Sequence, residues 1–275
     1  MSTFGARLRT AMDTYGPLCV GLDPHPQILT DWGLPVSAAG VRRFSEICVD
    51  AFAGQVAVVK PQSAFFEEYG SDGIAALEAT LAAFRVAGTL TILDVKRGDI
   101  GSTMAGYARA YLRDDAPLAA DAITVSPYLG FGSLGPALEL AATTGRGLFV
   151  LALTSNPEGA SVQHARIGGE SVAAAMVSGA AAANAGAGEN GILGSVGLVV
   201  GATVGSAPRD LGIDLAAANA PILAPGFGAQ GAGLEEAREV FGAALPNVLA
   251  ASSREILAAG PQVASLREAA RRTLH

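Results

Sequence analysis

Eight short apolar runs recur along the chain, at 17–24, 55–62, 89–96, 122–127, 147–155, 196–203, 221–228 and 247–253. "PLCVGLDP", "QVAVVKPQ" and "GLFVLALTS" are examples. Nearly every position inside a run is apolar, whereas a strand with one wet face alternates. The pattern predicts strands covered on both sides, as in a parallel sheet. Longer stretches with helical spacing lie between and after them, at 40–53, 71–87, 102–113, 134–144, 169–186, 206–218, 233–243 and 264–273. Ser71 with Asp72, Ser102 with Thr103, and Ser133 stand where helix N-caps are wanted. Ahead of the first run, Phe4, Leu8 and Met12 recur every four residues, which predicts an amphipathic N-terminal helix.

Eight β-then-α units, with no Pro/Ser-rich linker or charge block between them, predict an α/β fold: a (β/α)8 (TIM) barrel capped by the N-terminal helix, with residues 1–275 as one domain. A doubly wound open sheet is the competitor, but it usually has fewer strands or a second domain. The barrel carries a demand of its own, because its functional groups belong at the C-terminal strand ends. Polar residues gather there: Asp23, Lys60, Asp94, Lys96, Ser126 and Ser155, then Gln230 and Arg254 just past the seventh and eighth runs.

Charge and composition narrow the partners. A net charge of −7 argues against nucleic acid or an anionic membrane, since both need a basic field. The Ala-rich stretch 172–188 is broken by Ser178, Gly179 and Asn184, so it predicts a packed helix rather than a membrane span. The first residues lack the apolar core of a secretion signal. Cys19 and Cys48 read as buried, reduced thiols, which places the expected protein in the cytoplasm. His25, His164 and His275 show no metal-ligand spacing. Ser126 lacks a G-x-S-x-G elbow and a nearby histidine, which argues against a hydrolase. Phe65, Phe66 and Tyr69 read as packing residues. "GFGAQG" (226–231) matches the dinucleotide fingerprint in form only, because it follows the seventh strand rather than the first. In a barrel that position suits a phosphate-binding loop.

One cluster stands out from this background. Only 16% of the residues are charged, yet Asp94, Lys96, Arg97 and Asp99 crowd the end of "TILDVKRGDIG" (91–101). Asp94 and Lys96 are two apart on a strand and share a face. A rim of salt bridges is the plain explanation. Carboxylates crowded round a single lysine repel one another, however, so the arrangement is expected to be completed by a ligand.

"DVKRGDIGST" (94–103) closely resembles the signature of orotidine 5′-phosphate decarboxylases. "VGLDPHP", "VVKPQSAFFEEYG", "SPYLGFGSL", "LTSNPEG" and "PGFGAQG" look like the longer bacterial subgroup, type 2, so the resemblance covers most of the chain. It implies decarboxylation of orotidine 5′-phosphate to uridine 5′-phosphate, the last step of de novo pyrimidine synthesis, without metal or organic cofactor. By resemblance Lys96 donates the proton to C6, Asp94 lies against the substrate carboxylate, and Lys60 and Asp23 hold ribose hydroxyls. Ser155 reads the base amide, Gln230 bridges phosphate and pyrimidine, and Arg254, with Pro225 in the glycine-rich block, belongs to the phosphate end. Ser253 stands where many members have Gly. Asp99, Ile100 and Thr103 are implied to enter the neighbouring subunit's site, so the expected assembly is a homodimer with shared sites. Two other readings compete. A magnesium-dependent sugar-phosphate decarboxylase or aldolase of the same superfamily would carry an acid where Lys60 stands, and a silent nucleotide-binding regulator would have lost Lys96 or Asp94.

Overall fold

The computed structural model describes residues 2–227 and 233–273. Eight parallel strands close into a barrel: β1 (Leu18–Leu22), β2 (Val58–Pro61), β3 (Leu90–Arg97), β4 (Ala122–Val125), β5 (Gly147–Leu153), β6 (Val196–Val200), β7 (Ile222–Pro225) and β8 (Val248–Ser252). Each strand pairs with its chain neighbours, and β8 returns to β1 with Val20 opposite Ser252. All eight apolar runs are strands of this barrel, and the N-terminal helix, Phe4–Tyr15, caps it as expected.

Strand residues divide by parity between two apolar cores. Leu18, Val20, Val59, Leu93, Ile123, Val150, Leu198 and Ile222 face the surrounding helices. Cys19, Val58, Leu90, Ile92, Ala122, Phe149, Leu223 and Leu249 face the bore, where Phe4, Leu8 and Met12 of the N-terminal helix plug the lower end. Phe4 meets Phe149 edge to face, with ring centroids 6.0 Å apart. Gly5 lets this helix come so close: a Cβ there would lie 2.0 Å from the Leu193 carbonyl oxygen. Thr3 caps the helix through its hydroxyl, and Arg7 ties it to the Asp121 carboxylate and to the Gly145 carbonyl (3.0 Å).

Two expectations about the helices need correcting. The stretch 206–218 is not a helix. Only Ala207–Asp210 forms one turn, because Gly212 turns the chain at φ 70° and the Asp214 carboxylate accepts from the backbone N–H groups of Ala216 and Ala217. A side chain that satisfies its own neighbours' N–H groups competes with the helix ladder. Nor do the expected N-caps act as caps. Ser71 and Asp72 lie inside Gly70–Ala87, Ser102 and Thr103 inside Gly101–Leu112, and Ser133 inside a 3-10 turn. Hydroxyl caps occur instead at Thr3, Ser37 and Ser171.

The Ala-rich stretch is a packed helix, Val172–Glu189. Its buried Asn184 accepts from the Val196 N–H and donates to the carbonyls of Val196 and Ala218. Among the described residues no helix is long and apolar enough to cross a membrane.

Candidate active site

Moving up the bore, the inward positions change character without changing parity. On β3, Leu90 and Ile92 are followed by Asp94; on β2, Val58 by Lys60 and then Gln62; on β4, Ala122 by Thr124. These upper residues form one hydrogen-bonded cluster. Asp94 is 7% exposed and accepts from four side chains. Lys96 Nζ (2.6 Å) and Thr124 Oγ1 (2.8 Å) donate to its Oδ1, while Lys60 Nζ (2.9 Å) and Gln62 Nε2 (3.1 Å) donate to its Oδ2. A carboxylate offers about four lone-pair sites, so Asp94 is fully engaged before any ligand arrives.

That pairing revises the picture of repelling acids. One carboxylate faces two ammonium groups, and the second acid of the signature, Asp99, is elsewhere, its Oδ1 accepting from the Ile100 N–H at 2.8 Å. Burial alone would drive Asp94 toward its neutral form, but Lys60 and then Lys96 outweigh it and hold the carboxyl well below the usual range. For Lys60 burial again opposes charge, and Asp94 with Asp23 reverses it, raising the ammonium above its ordinary value. Both groups are ionised across the neutral range.

Lys96 is positioned by an irregular backbone. The β3–β4 register shifts between Leu93 and Arg97, and Lys96 sits at φ 44°, left-handed for a residue with a Cβ. Such a conformation costs about 1–2 kcal/mol. Two contacts hold it. The Lys96 N–H donates to Thr124 Oγ1 (2.9 Å), and Arg97 points away from the cluster to Glu67 (2.7 Å) and the rings of Tyr107 and Tyr111. Nearly half of the Lys96 side chain remains open to the mouth.

Across the bore, Gly21, Asp23, Lys60, Pro225, Ser253 and Arg254 line a cavity of about 150 Å³. Here the polar groups are not all paired: Asp23 Oδ1 and Ser253 Oγ are buried without a hydrogen-bond partner among the described residues. Arg254 is exposed at this rim. Gln230 and His275 lie outside the described residues. Ser155 is exposed on the loop after β5, which is clamped where the Gln163 side chain accepts from the Thr154 N–H (2.9 Å) and donates to the Thr154 hydroxyl (2.7 Å).

Asp99, Ile100 and Thr103 are not brought into the Asp94 cluster. Asp99 is partly exposed, and Thr103 and Ile100 face outward, Ile100 at 62%. Beside the Ser126–Pro127 segment, Tyr128 is 80% exposed and lines a largely apolar groove of about 550 Å³ with Val162 and Ile167. Cys19 lies in the bore below the charged layer, where burial pushes its thiol up to about 12. Cys19 and Cys48 are both free and buried. Phe66 is core; the Phe65 ring packs against His25 with centroids 4.1 Å apart and planes tilted by 58°.

Gln62 and Thr124 escaped the sequence reading, although a signal for them exists. Once β2 and β4 are known to face Val58 and Ala122 into the bore, the residues two and four positions on must face the mouth.

Fold and mouth together define a (β/α)8 barrel with a lysine-bearing charge array and an adjoining cavity walled by Asp23, Lys60, Ser253 and Arg254. Residues 16–269 match the model of the orotidine 5′-phosphate decarboxylase / HUMPS family. The chain is 59% identical over 275 residues to an orotidine 5′-phosphate decarboxylase of Salinispora arenicola, covering 100% of this chain and 96% of that one. It is 58% identical over 274 residues to its counterpart in Streptomyces coelicolor, covering 99% and 96%. A crystal structure described as an orotidine 5′-phosphate decarboxylase from Streptomyces avermitilis superposes with a TM-score of 0.94 at 57% identity, covering 100% of this chain and 94% of that one. The chain belongs to the orotidine 5′-phosphate decarboxylase / HUMPS family.

Proposed function

We propose that the mouth of this barrel decarboxylates orotidine 5′-phosphate to uridine 5′-phosphate with Lys96 as the proton donor. The observation that carries the assignment is the Lys96 ammonium, held 2.6 Å from a fully engaged Asp94 yet half open to the mouth. When the C6–carboxylate bond breaks, its electron pair stays on C6, carbon dioxide leaves, and Lys96 delivers a proton to that carbon. The free amine regains its proton from water. A cation fixed beside C6 stabilises the concentrated charge of the departing state more than the delocalised carboxylate of the substrate. At about 4 Å and an effective dielectric near 20 such a contact is worth roughly 4 kcal/mol. Asp94 serves mainly to fix the ammonium, because its lone pairs are already taken; with a ligand bound it faces the substrate carboxylate. Asp23 and Lys60 bind the ribose, Arg254, Pro225 and Gln230 the phosphate end, and Ser155 the base.

Lys96→Ala should lower kcat on orotidine 5′-phosphate by about a thousandfold or more, since it removes both the charge contact and the proton. The loss of absorbance on turnover reads this directly, and near-parental turnover by the variant defeats the assignment.

The chain works as a single domain in a homodimer, with Asp99, Ile100 and Thr103 reaching the partner's mouth. Support comes from their outward placement and from the exposed apolar side chains of Ile100 and Tyr128 on the same rim. Ile100→Glu should give monomers by sedimentation velocity with most activity lost; an active monomer rules out shared sites. Two free, buried thiols suit a cytoplasmic location.

A further inference from the structure

β1 and β8 meet at the mouth with Val20 opposite Ser252, so their next residues, Gly21 and Ser253, continue side by side. Parity from Leu249 and Ala251 turns Ser253 into the bore, as parity from Cys19 and Gly21 does for Asp23. The two side chains converge over Gly21. A Cβ on Gly21 would sit 2.6 Å from Ser253 Cβ, 3.1 Å from its Oγ and 3.3 Å from Asp23 Oδ2. Glycine at position 21 thus makes room for the serine side chain.

Despite this convergence Ser253 Oγ and Asp23 do not bond to each other. Ser253 Oγ and Asp23 Oδ1 are buried without partners among the described residues, on the wall of the same 150 Å³ cavity. Buried polar atoms in that condition are costly and rare in folded proteins. The two are also chemically complementary. An ionised carboxylate only accepts, whereas a serine hydroxyl donates as well. A single hydroxyl of the ligand can donate to Asp23 Oδ1 and accept from Ser253 Oγ, completing both atoms at once. A phosphate oxygen cannot serve in this way, because beside Asp23 it brings no proton to donate.

We infer that Ser253 is a substrate-binding residue that grips, jointly with Asp23, one sugar hydroxyl of the nucleotide and so selects ribose over the corresponding deoxy sugar. The inference rests on the nucleotide reading of the mouth but not on its chemistry. Lys60 lines the same cavity and gives only one of its three N–H donors to Asp94 (2.9 Å), so it still reaches the ribose beside the Asp23–Ser253 pair.

The test is calorimetric binding of uridine 5′-phosphate and its 2′-deoxy and 3′-deoxy forms to the full chain, wild type, Ser253→Ala, Ser253→Gly and Asp23→Asn. Loss of one neutral hydrogen bond should weaken uridine 5′-phosphate about five- to tenfold in both serine variants. One deoxy nucleotide should bind wild type and both serine variants equally, and the same nucleotide should be the one least affected by Asp23→Asn. Equal weakening of all three nucleotides by Ser253→Ala, or no weakening of any, overturns the inference. If the wild type binds these nucleotides in the expected pattern but does not turn over orotidine 5′-phosphate, the decarboxylase reading fails and the role of Ser253 stands. If it binds none of them, both fail.

Discussion

The lower and upper halves of the bore are made by the same strands at the same parity, yet they are stabilised by different physics. Below, Phe4, Leu8, Phe149, Leu90 and Ile92 fill the space with apolar volume, and the N-terminal helix closes it. Two to four residues further along the same inward-facing rows, Asp94, Lys60, Gln62 and Thr124 take over, each placed by a specific hydrogen bond. Burial of apolar surface is non-directional and tolerates exchange of shape; a buried ion pair is favourable only while its partners stay in register. The lower half can therefore supply stability without constraining the chemistry, and the upper half spends some of that stability to hold a lysine in a left-handed backbone.

The largest break in this contrast should come from Asp94→Asn. Removing one partner of a buried pair leaves the other charged and uncompensated, which costs about 3–5 kcal/mol. It also frees Lys96, so turnover should collapse with stability. The pH dependence carries its own signature. Asp94 is held below its unfolded value, so its contribution is present above about pH 4 and is lost as pH falls through the folded value. Denaturant unfolding of the wild type should weaken through that acid window while Asp94→Asn stays flatter, the two curves converging on acidification. Parallel curves would mean that the pair does not stabilise the fold.

Phe4→Ala probes the other half. It empties a fully buried ring site against Phe149 and should cost about 3–5 kcal/mol in unfolding free energy. At temperatures where the variant is folded, kcat on orotidine 5′-phosphate should stay near the parental value. A large drop in kcat there would show that the plug and the mouth are coupled and the division into halves is wrong.

The two halves also differ in how far the sequence discloses them. Continuous apolar runs reveal the eight strands, because being covered on both sides leaves few polar positions to interrupt them. The charged motif at 94–103 discloses Asp94 and Lys96, and their contact follows from spacing alone. The partners are another matter. Thr124 and Gln62 are ordinary polar residues in short runs, and only the closed barrel brings β4 and β2 against Asp94. The bulge at Lys96 leaves no composition signal, since no glycine marks it. The stretch 206–218 misleads for a local reason, as its Asp214 and Gly212 act through turn bonds that periodicity does not register.

The smallest effect gives the sharpest view of that bulge. At φ 44° an alanine in place of Lys96 keeps the left-handed cost and a glycine does not. Both substitutions remove the ammonium, so both should be inactive, and any difference between them reports backbone alone. Glycine's greater freedom in the unfolded chain offsets part of the gain, leaving Lys96→Gly more stable than Lys96→Ala by about 0.5–1 kcal/mol. For a chain of this length that corresponds to a rise of about 1–4 °C in Tm. A glycine variant that melts at or below the alanine variant would mean that the backbone at 96 is relaxed. The lysine would then be aimed by its ion pair with Asp94, and the strand ladder would contribute nothing to its direction.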